Sequence, residues 1–352
     1  MTDISDTSTH QAPGAPDDDA TRRVWAFRLI GPALGVLTWL ALGSAEGISP
    51  EARIVAGIAV LMAVWWMSEA LPLSATALLP IVAFPAFGVL EISEATAPYA
   101  NNIVFLFMGG FMIAIAMQKW NLHRRIALLT LRAVGTHPRR IVLGMMLSTG
   151  FLSMWVSNTA TTLMMLPIAL SVLNLVVERS TNDGKVGTGE LISETVSDPA
   201  VRTFGVGLVL SVAWAASIGG LATLLGSPPN AIVAGYLSDE LDRNIGFVQW
   251  MQLGLPLAAV FIVVAWLLVT RVLFRSDLAE IPGGDEMIRN ELANLGPVSR
   301  EEKSVLAVFG SAAFLWIVPG LLAQNASLLE AMPFLDGLED AAIAIAAGIA
   351  LF

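Results

Sequence analysis

Two short polar stretches interrupt this sequence where it is otherwise apolar. The first, SNTATT at residues 157–162, sets Ser157, Asn158 and Thr159 in a row, with Ser153 four positions before them. The second, GSPPNAI at residues 226–232, holds Gly226, Ser227, Pro228, Pro229 and Asn230. Hydroxyl and amide side chains carry no fixed charge. Their oxygens, with backbone carbonyls, suit a hard cation such as Na+. Their O–H and N–H groups can donate to a carboxylate or sulfate oxygen. One short run can therefore meet a cation and an anion together.

Other chemistry is poorly supplied. The chain has no cysteine, so it offers no disulfide, thiolate metal site or cysteine nucleophile. Its three histidines are His10 near the N-terminus and His123 and His137 in a basic stretch, none of them mid-span beside Ser157. No pair of aspartates sits in an apolar run. A general base is missing, which argues against an enzyme such as an intramembrane protease. Glu69 is the one carboxylate close to a span core, and its place at the end of a run suits an interface.

The elements that carry these residues are membrane helices. Of 352 residues, 55% are hydrophobic and 14% charged, where a soluble domain has roughly 25% charged. Apolar runs of the ~20 residues that cross a bilayer as a helix fall at 25–43, 54–71, 73–90, 102–118, 203–225, 247–273 and 304–323. The expected fold is an all-α polytopic membrane protein. The first run follows Arg22 and Arg23, is longer than a signal-peptide core and is expected to be retained.

Segment 141–177 is too long for one crossing and is cut by polar groups at Ser148, Thr149, Ser153 and 157–162. Lysine and arginine decide its path. Lys119, Arg124, Arg125, Arg132, Arg139 and Arg140 cluster without an acid, which places that stretch in the cytoplasm. Four crossings then return the N-terminus to the cytoplasm. The loop with Arg275, Arg289, Arg300 and Lys303 also falls inside if 141–177 enters and leaves by one face. The segment is expected to be a re-entrant hairpin with a non-helical tip, tolerated at membrane depth only where protein or a cavity surrounds it. Residues 121–134 are amphipathic and basic, as in a helix lying along the interface. No Asp or Glu occurs from Ala95 to Val177. Both the positive-inside bias and the nearness of an anion would produce that gap.

In the second cluster, Pro228 and Pro229 supply no amide and disfavour helix at the residue before each. Ser227 should be extended and the helix should break near Gly226. A hairpin tip and a broken helix in one stretch are the discontinuous elements of secondary transporters.

These residues carry a resemblance. SNTATTLMMLPIA and GSPPNAI are similar to first-repeat motifs of the divalent anion:sodium symporter family. NNIVFLFMGGFMIAIAMQKWNLHRRIAL resembles that family's fourth helix and the horizontal helix after it. The resemblance implies an inverted-repeat transporter and a Na+ site built by Ser153, Ser157, Asn158 and the Gly226 carbonyl. It implies substrate contacts from Ser157, Asn158, Thr159, Ser227 and Pro228. It also implies a homodimer in the inner (plasma) membrane bilayer that moves a dianion with Na+. A C4 dicarboxylate such as succinate is expected, with sulfate symport or Na+-independent dicarboxylate exchange as alternatives and no role for nucleic acid.

The implied layout begins with a disordered cytoplasmic tail at 1–23 and scaffold helices at 24–134. A transport part at 135–274 follows, with hairpin 141–177, broken helix 203–237 and helix 247–273. A cytoplasmic linker at 275–303 leads into a second repeat from 304 to 352. The family's second S-N-T hairpin is absent, so the second repeat is expected to be truncated.

Overall fold

The computed structural model describes residues 18–352, apart from positions 182, 244, 277, 279, 280, 282, 323 and 325–336. Among the described residues every regular element is helical. Seven helical stretches of the described residues are long and apolar enough to cross a membrane: Thr21–Ser44, Pro50–Ser68, Ile92–Lys119, Asn158–Ser180, Pro199–Gly219, Phe247–Leu273 and Arg300–Leu322. The chain divides into two compact units, Met1–Asn101 and Asn102–Phe352.

In the first unit, α1 (Asp18–Ala41) packs along α2 (Pro50–Ser68). Their backbones touch at Gly35 and Gly57: a Cβ on either glycine would stand 2.7–2.8 Å from the other's carbonyl oxygen. Small residues let membrane helices approach this closely. The expected disordered tail at 1–23 needs correction at its end. Helix α1 already runs from Asp18, because adding turns to a formed helix costs little once the apolar run has nucleated it; residues 1–17 lie outside the described residues.

The run at 73–90 is not one continuous helix. It forms two short helices, α3 (Leu73–Ala77) and α4 (Leu79–Ala86), which share Leu78 as cap. Pro80 and Pro85 have no amide to continue an i to i−4 ladder. The chain then turns at Gly88, where φ is +70°, and passes through α5 (Ile92–Thr96).

The second unit holds α6 (Asn102–Lys119), α7 (Leu122–Val134), α8 (Pro138–Ser153) and α9 (Asn158–Ser180). After the short α10 (Ile192–Thr195) come α11 (Pro199–Gly219), α12 (Pro228–Leu241) and α13 (Phe247–Leu268). The last three are α14 (Gly284–Asn294), α15 (Arg300–Leu322) and α16 (Asp340–Ile349). Helix α13 continues as a π-helical turn over Val269–Leu273.

Helices α8 and α9 form a pair joined by the short tip 154–157, and α11 packs against both. With 16 residues, α8 rises only about 24 Å, short of the roughly 30 Å hydrocarbon core. Helix α7 buries Leu122, Ala127, Leu128 and Leu131 on one face and packs on α8. It also makes ionic contacts. Arg124 pairs with Glu291 of α14, and Arg125 pairs with Glu302 of α15. The Arg125 pair is buried and two-pronged, with Nε donating to Oε1 at 2.9 Å and Nη2 to Oε2 at 3.1 Å.

Candidate ion and anion site

The tip of the α8–α9 pair and the gap between α11 and α12 meet in space. Helix α11 stops at Gly219, and residues 220–227 are non-helical until α12 begins at Pro228. The gap thus opens six residues before Gly226. The end of α11 is packed closely enough to require glycine: a Cβ on Gly219 would overlap the Gly150 backbone of α8, and one on Gly220 would overlap the Asn158 amide. Ser227 is extended (φ −150°, ψ 132°), as the prolines after it require.

A broken helix frees backbone groups that must find partners. Here several of them find side-chain partners. The Gly220 and Thr223 carbonyls both accept from Asn230 Nδ2, at 2.7 and 2.8 Å. The Leu221 carbonyl accepts from Trp250 Nε1 at 3.0 Å. The Ala216 carbonyl accepts from Ser153 Oγ at 2.6 Å. Met154, at the tip, offers its carbonyl to Thr223 Oγ1, and the Gly226 amide donates to that same hydroxyl at 3.2 Å.

Asn158 sits at the centre. With its amide nitrogen turned inward it donates to Ser153 Oγ (2.8 Å), the Ala216 carbonyl (3.0 Å) and the Gly226 carbonyl (3.2 Å). That orientation is the one chemistry selects in the bare protein, since an amide oxygen there would face two carbonyl oxygens. Gly226 is held tightly. A Cβ on it would lie 2.6 Å from the Gly220 carbonyl oxygen and 2.8 Å from that of Ser153.

Of the expected cation ligands, the structure gathers Ser153, Asn158 and the Gly226 carbonyl around one point. Ser157 instead caps its own helix, its hydroxyl accepting from Ala160 N–H at 3.4 Å. Ser157 and Ser227 are half-buried, and Thr159 and Pro228 are exposed. All four stand at the N-terminal ends of α9 and α12. The Ala216 carbonyl, Thr223 and Asn230 complete the cluster and are buried. Sequence reasoning did not assign them roles, although Asn230 closes the GSPPN turn and Thr223 lies three residues before it.

The tip is also anchored by aromatic rings. Trp155 stacks on Phe247 (6.0 Å between centroids, 22°) and Trp316 (6.2 Å, 16°), and meets Phe309 edge to face (5.0 Å, 87°). Phe247 is held by its amide, which donates to the Asp340 carboxylate at 2.8 Å. Among the described residues, no group of three or more His, Asp or Glu side chains is placed to hold a metal ion. The donors that converge here are neutral oxygens, a set that fits a monovalent hard cation.

A family model described as "Sodium:sulfate symporter transmembrane region" matches residues 23–352. The chain belongs to this sodium:sulfate symporter family. It is thus an all-helical, multi-pass membrane protein of a transporter family. This symporter-family chain is 40% identical over 324 residues to a protein of Staphylococcus saprophyticus named sodium-dependent dicarboxylate transporter SdcS. It is 37% identical over 324 residues to the protein of that name in Staphylococcus aureus. Each match covers 92% of this chain and 59% of the relative, so the chain spans about three fifths of the length of the relatives it matches.

Proposed function

We propose that this protein takes part in Na+-coupled symport of a divalent anion, a C4 dicarboxylate such as succinate. The observation that carries the proposal is the convergence of Ser153 Oγ and the Ala216 and Gly226 carbonyls on the Asn158 amide. Turning that amide over presents its oxygen to the same point, giving four neutral oxygens from two discontinuous elements. Such elements coordinate Na+ with freed carbonyls and side-chain oxygens, and face anions with half-helix N-termini. Ser157, Asn158, Thr159, Ser227 and Pro228 stand at the N-terminal ends of α9 and α12 and are assigned to the anion. Ser157 reaches the cation by giving up its cap to Ala160.

Coupling has an energetic motive. A dianion entering a cell held at about −100 mV climbs about 4.6 kcal/mol, since each charge costs roughly 2.3. Two Na+ cancel that charge, and a third lets the potential drive uptake. The names of the staphylococcal relatives support a dicarboxylate. The family description supports sulfate as a second reading.

The remaining layout follows the same proposal. The α8–α9 pair is a re-entrant hairpin open to the cytoplasm, α7 lies along the inner-membrane interface, and the N-terminus is cytoplasmic. Helices α8 to α13 form the transport part of a first repeat, α15 and α16 open an inverted second repeat, and the protein is a homodimer.

The test is uptake of radiolabelled succinate by cells expressing the complete reading frame, with Na+ or choline outside. Uptake should need Na+, and Asn158→Ala should remove at least about nine tenths of it, since the loss of even ~1.4 kcal/mol of binding is tenfold. Uptake indifferent to Na+ would sink the coupling. Uptake of labelled sulfate but not succinate would favour the second reading.

A further inference from the structure

We infer that Thr223 is a positioning residue that fixes the Gly226 carbonyl against the hairpin tip and so sets the affinity of the cation site. The inference rests on the Na+ reading above and adds to it a residue that touches neither ion nor substrate.

Thr223 is fully buried in the gap between α11 and α12. Its hydroxyl donates to the Met154 carbonyl, the residue directly after Ser153 at the end of α8. The same oxygen accepts the Gly226 amide at 3.2 Å. One hydroxyl therefore bolts the hairpin tip to the gap loop, and its two partners adjoin two of the converging oxygens. Its own carbonyl is tied down by Asn230 Nδ2 at 2.8 Å, so the bolt is itself fixed to the first turn of α12. A cation site of neutral oxygens depends on their spacing, because no formal charge compensates for a ligand that drifts. Removing the hydroxyl leaves the part-buried Met154 carbonyl and the buried Gly226 amide without that partner. The loop then relaxes to satisfy them, and the Gly226 carbonyl moves with its own amide.

The experiment compares Thr223→Ser, Thr223→Ala and Thr223→Val with the parent protein purified in detergent. Melting temperature is read against NaCl concentration, with choline chloride holding ionic strength constant. The readout is the Na+ concentration for half-maximal stabilisation, which a merely structural loss would not move. The parent should show a saturable rise. Thr223→Ser keeps the oxygen and should stay within about twofold of the parent. Thr223→Ala and Thr223→Val should need about tenfold more Na+. If the valine variant does not fold, the serine and alanine variants still differ by one oxygen and decide the matter. Alanine and serine variants with the parent's Na+ dependence would overturn the inference and leave the Na+ site standing. Equal weakening of both would overturn it too, by assigning the effect to packing. A parent protein indifferent to Na+ would overturn the site itself, and this inference with it.

Discussion

Replacing Gly219 with alanine is expected to lower the melting temperature of the protein, and the same replacement at Gly310 to raise it. Both glycines lie in long apolar helices, Gly219 at the end of α11 and Gly310 inside α15. Helix propensity favours alanine by up to about 1 kcal/mol in a helix interior. At Gly310 nothing lies within 4 Å of the added Cβ, so that preference acts alone. At Gly219 the Cβ would overlap the carbonyl and Cα of Gly150. Both obstacles are backbone, and no side chain can swing aside. Overpacking of this kind costs about 1–3 kcal/mol and at times more; with backbone on both sides the upper end applies and outweighs propensity.

The loss should reach the site as well as the fold. Gly150 precedes Ser153 by three residues, and Ala216 precedes Gly219 by three. The crossing of α8 and α11 at the two glycines therefore sets how far Ser153 stands from the Ala216 carbonyl, 2.6 Å at present. Helices pushed apart by a methyl group open that contact. Melting curves of the two variants, with and without NaCl, check both parts. Gly219→Ala should melt lower and lose most of its response to Na+; Gly310→Ala should melt higher and keep it. An unchanged melting temperature for Gly219→Ala would show that the crossing is looser than its geometry.

Much of this was legible in the residues, and the limits have physical causes. SNT and GSPPN stood out because hydroxyls, amides and prolines are expensive in hydrocarbon. Their types alone mark the two discontinuities, and Ser227 is extended for the reason its prolines give. The break opens at Gly220 rather than near Gly226, where the end of α11 packs against Gly150 and Asn158, and no local rule contains a contact between distant segments. Thr223 was passed over on similar grounds, since a lone threonine in a membrane helix usually packs or bonds within its own helix. Its partner, the Met154 carbonyl, lies 69 positions away. The interruption of the run at 73–90 was missed for a different reason. Pro80 and Pro85 were in plain view, and mean hydropathy outweighed them although the missing amides decide the local structure.

Least legible was the clamp on α7, whose partners are 177 positions apart. Arg125→Leu is expected to destabilise the protein by about 3–5 kcal/mol, the cost of leaving one member of a buried pair uncompensated. The Arg125 and Glu302 side chains are 11% and 6% exposed. Arg125 Nη2 also donates to the Gly296 carbonyl at 3.1 Å. Glu302 serves its own helix too: its Oε2 accepts Ser299 N–H at 2.8 Å while Ser299 Oγ accepts Glu302 N–H at 3.1 Å, a reciprocal cap. A lone Glu302 would keep the cap but bury a charge without its counterion. Arg125→Leu combined with Glu302→Leu removes both charges, so it should recover most of the loss, short of the cap's ~1 kcal/mol. Arg124→Leu is the contrast. Its pair with Glu291 is 41% and 25% exposed, and a partly solvated pair is worth about 0–1 kcal/mol. Thermal melting of the three variants separates the cases. If Arg125→Leu and Arg124→Leu shift the melting temperature equally, burial is not what gives the clamp its strength, and α7 is held by its apolar face alone.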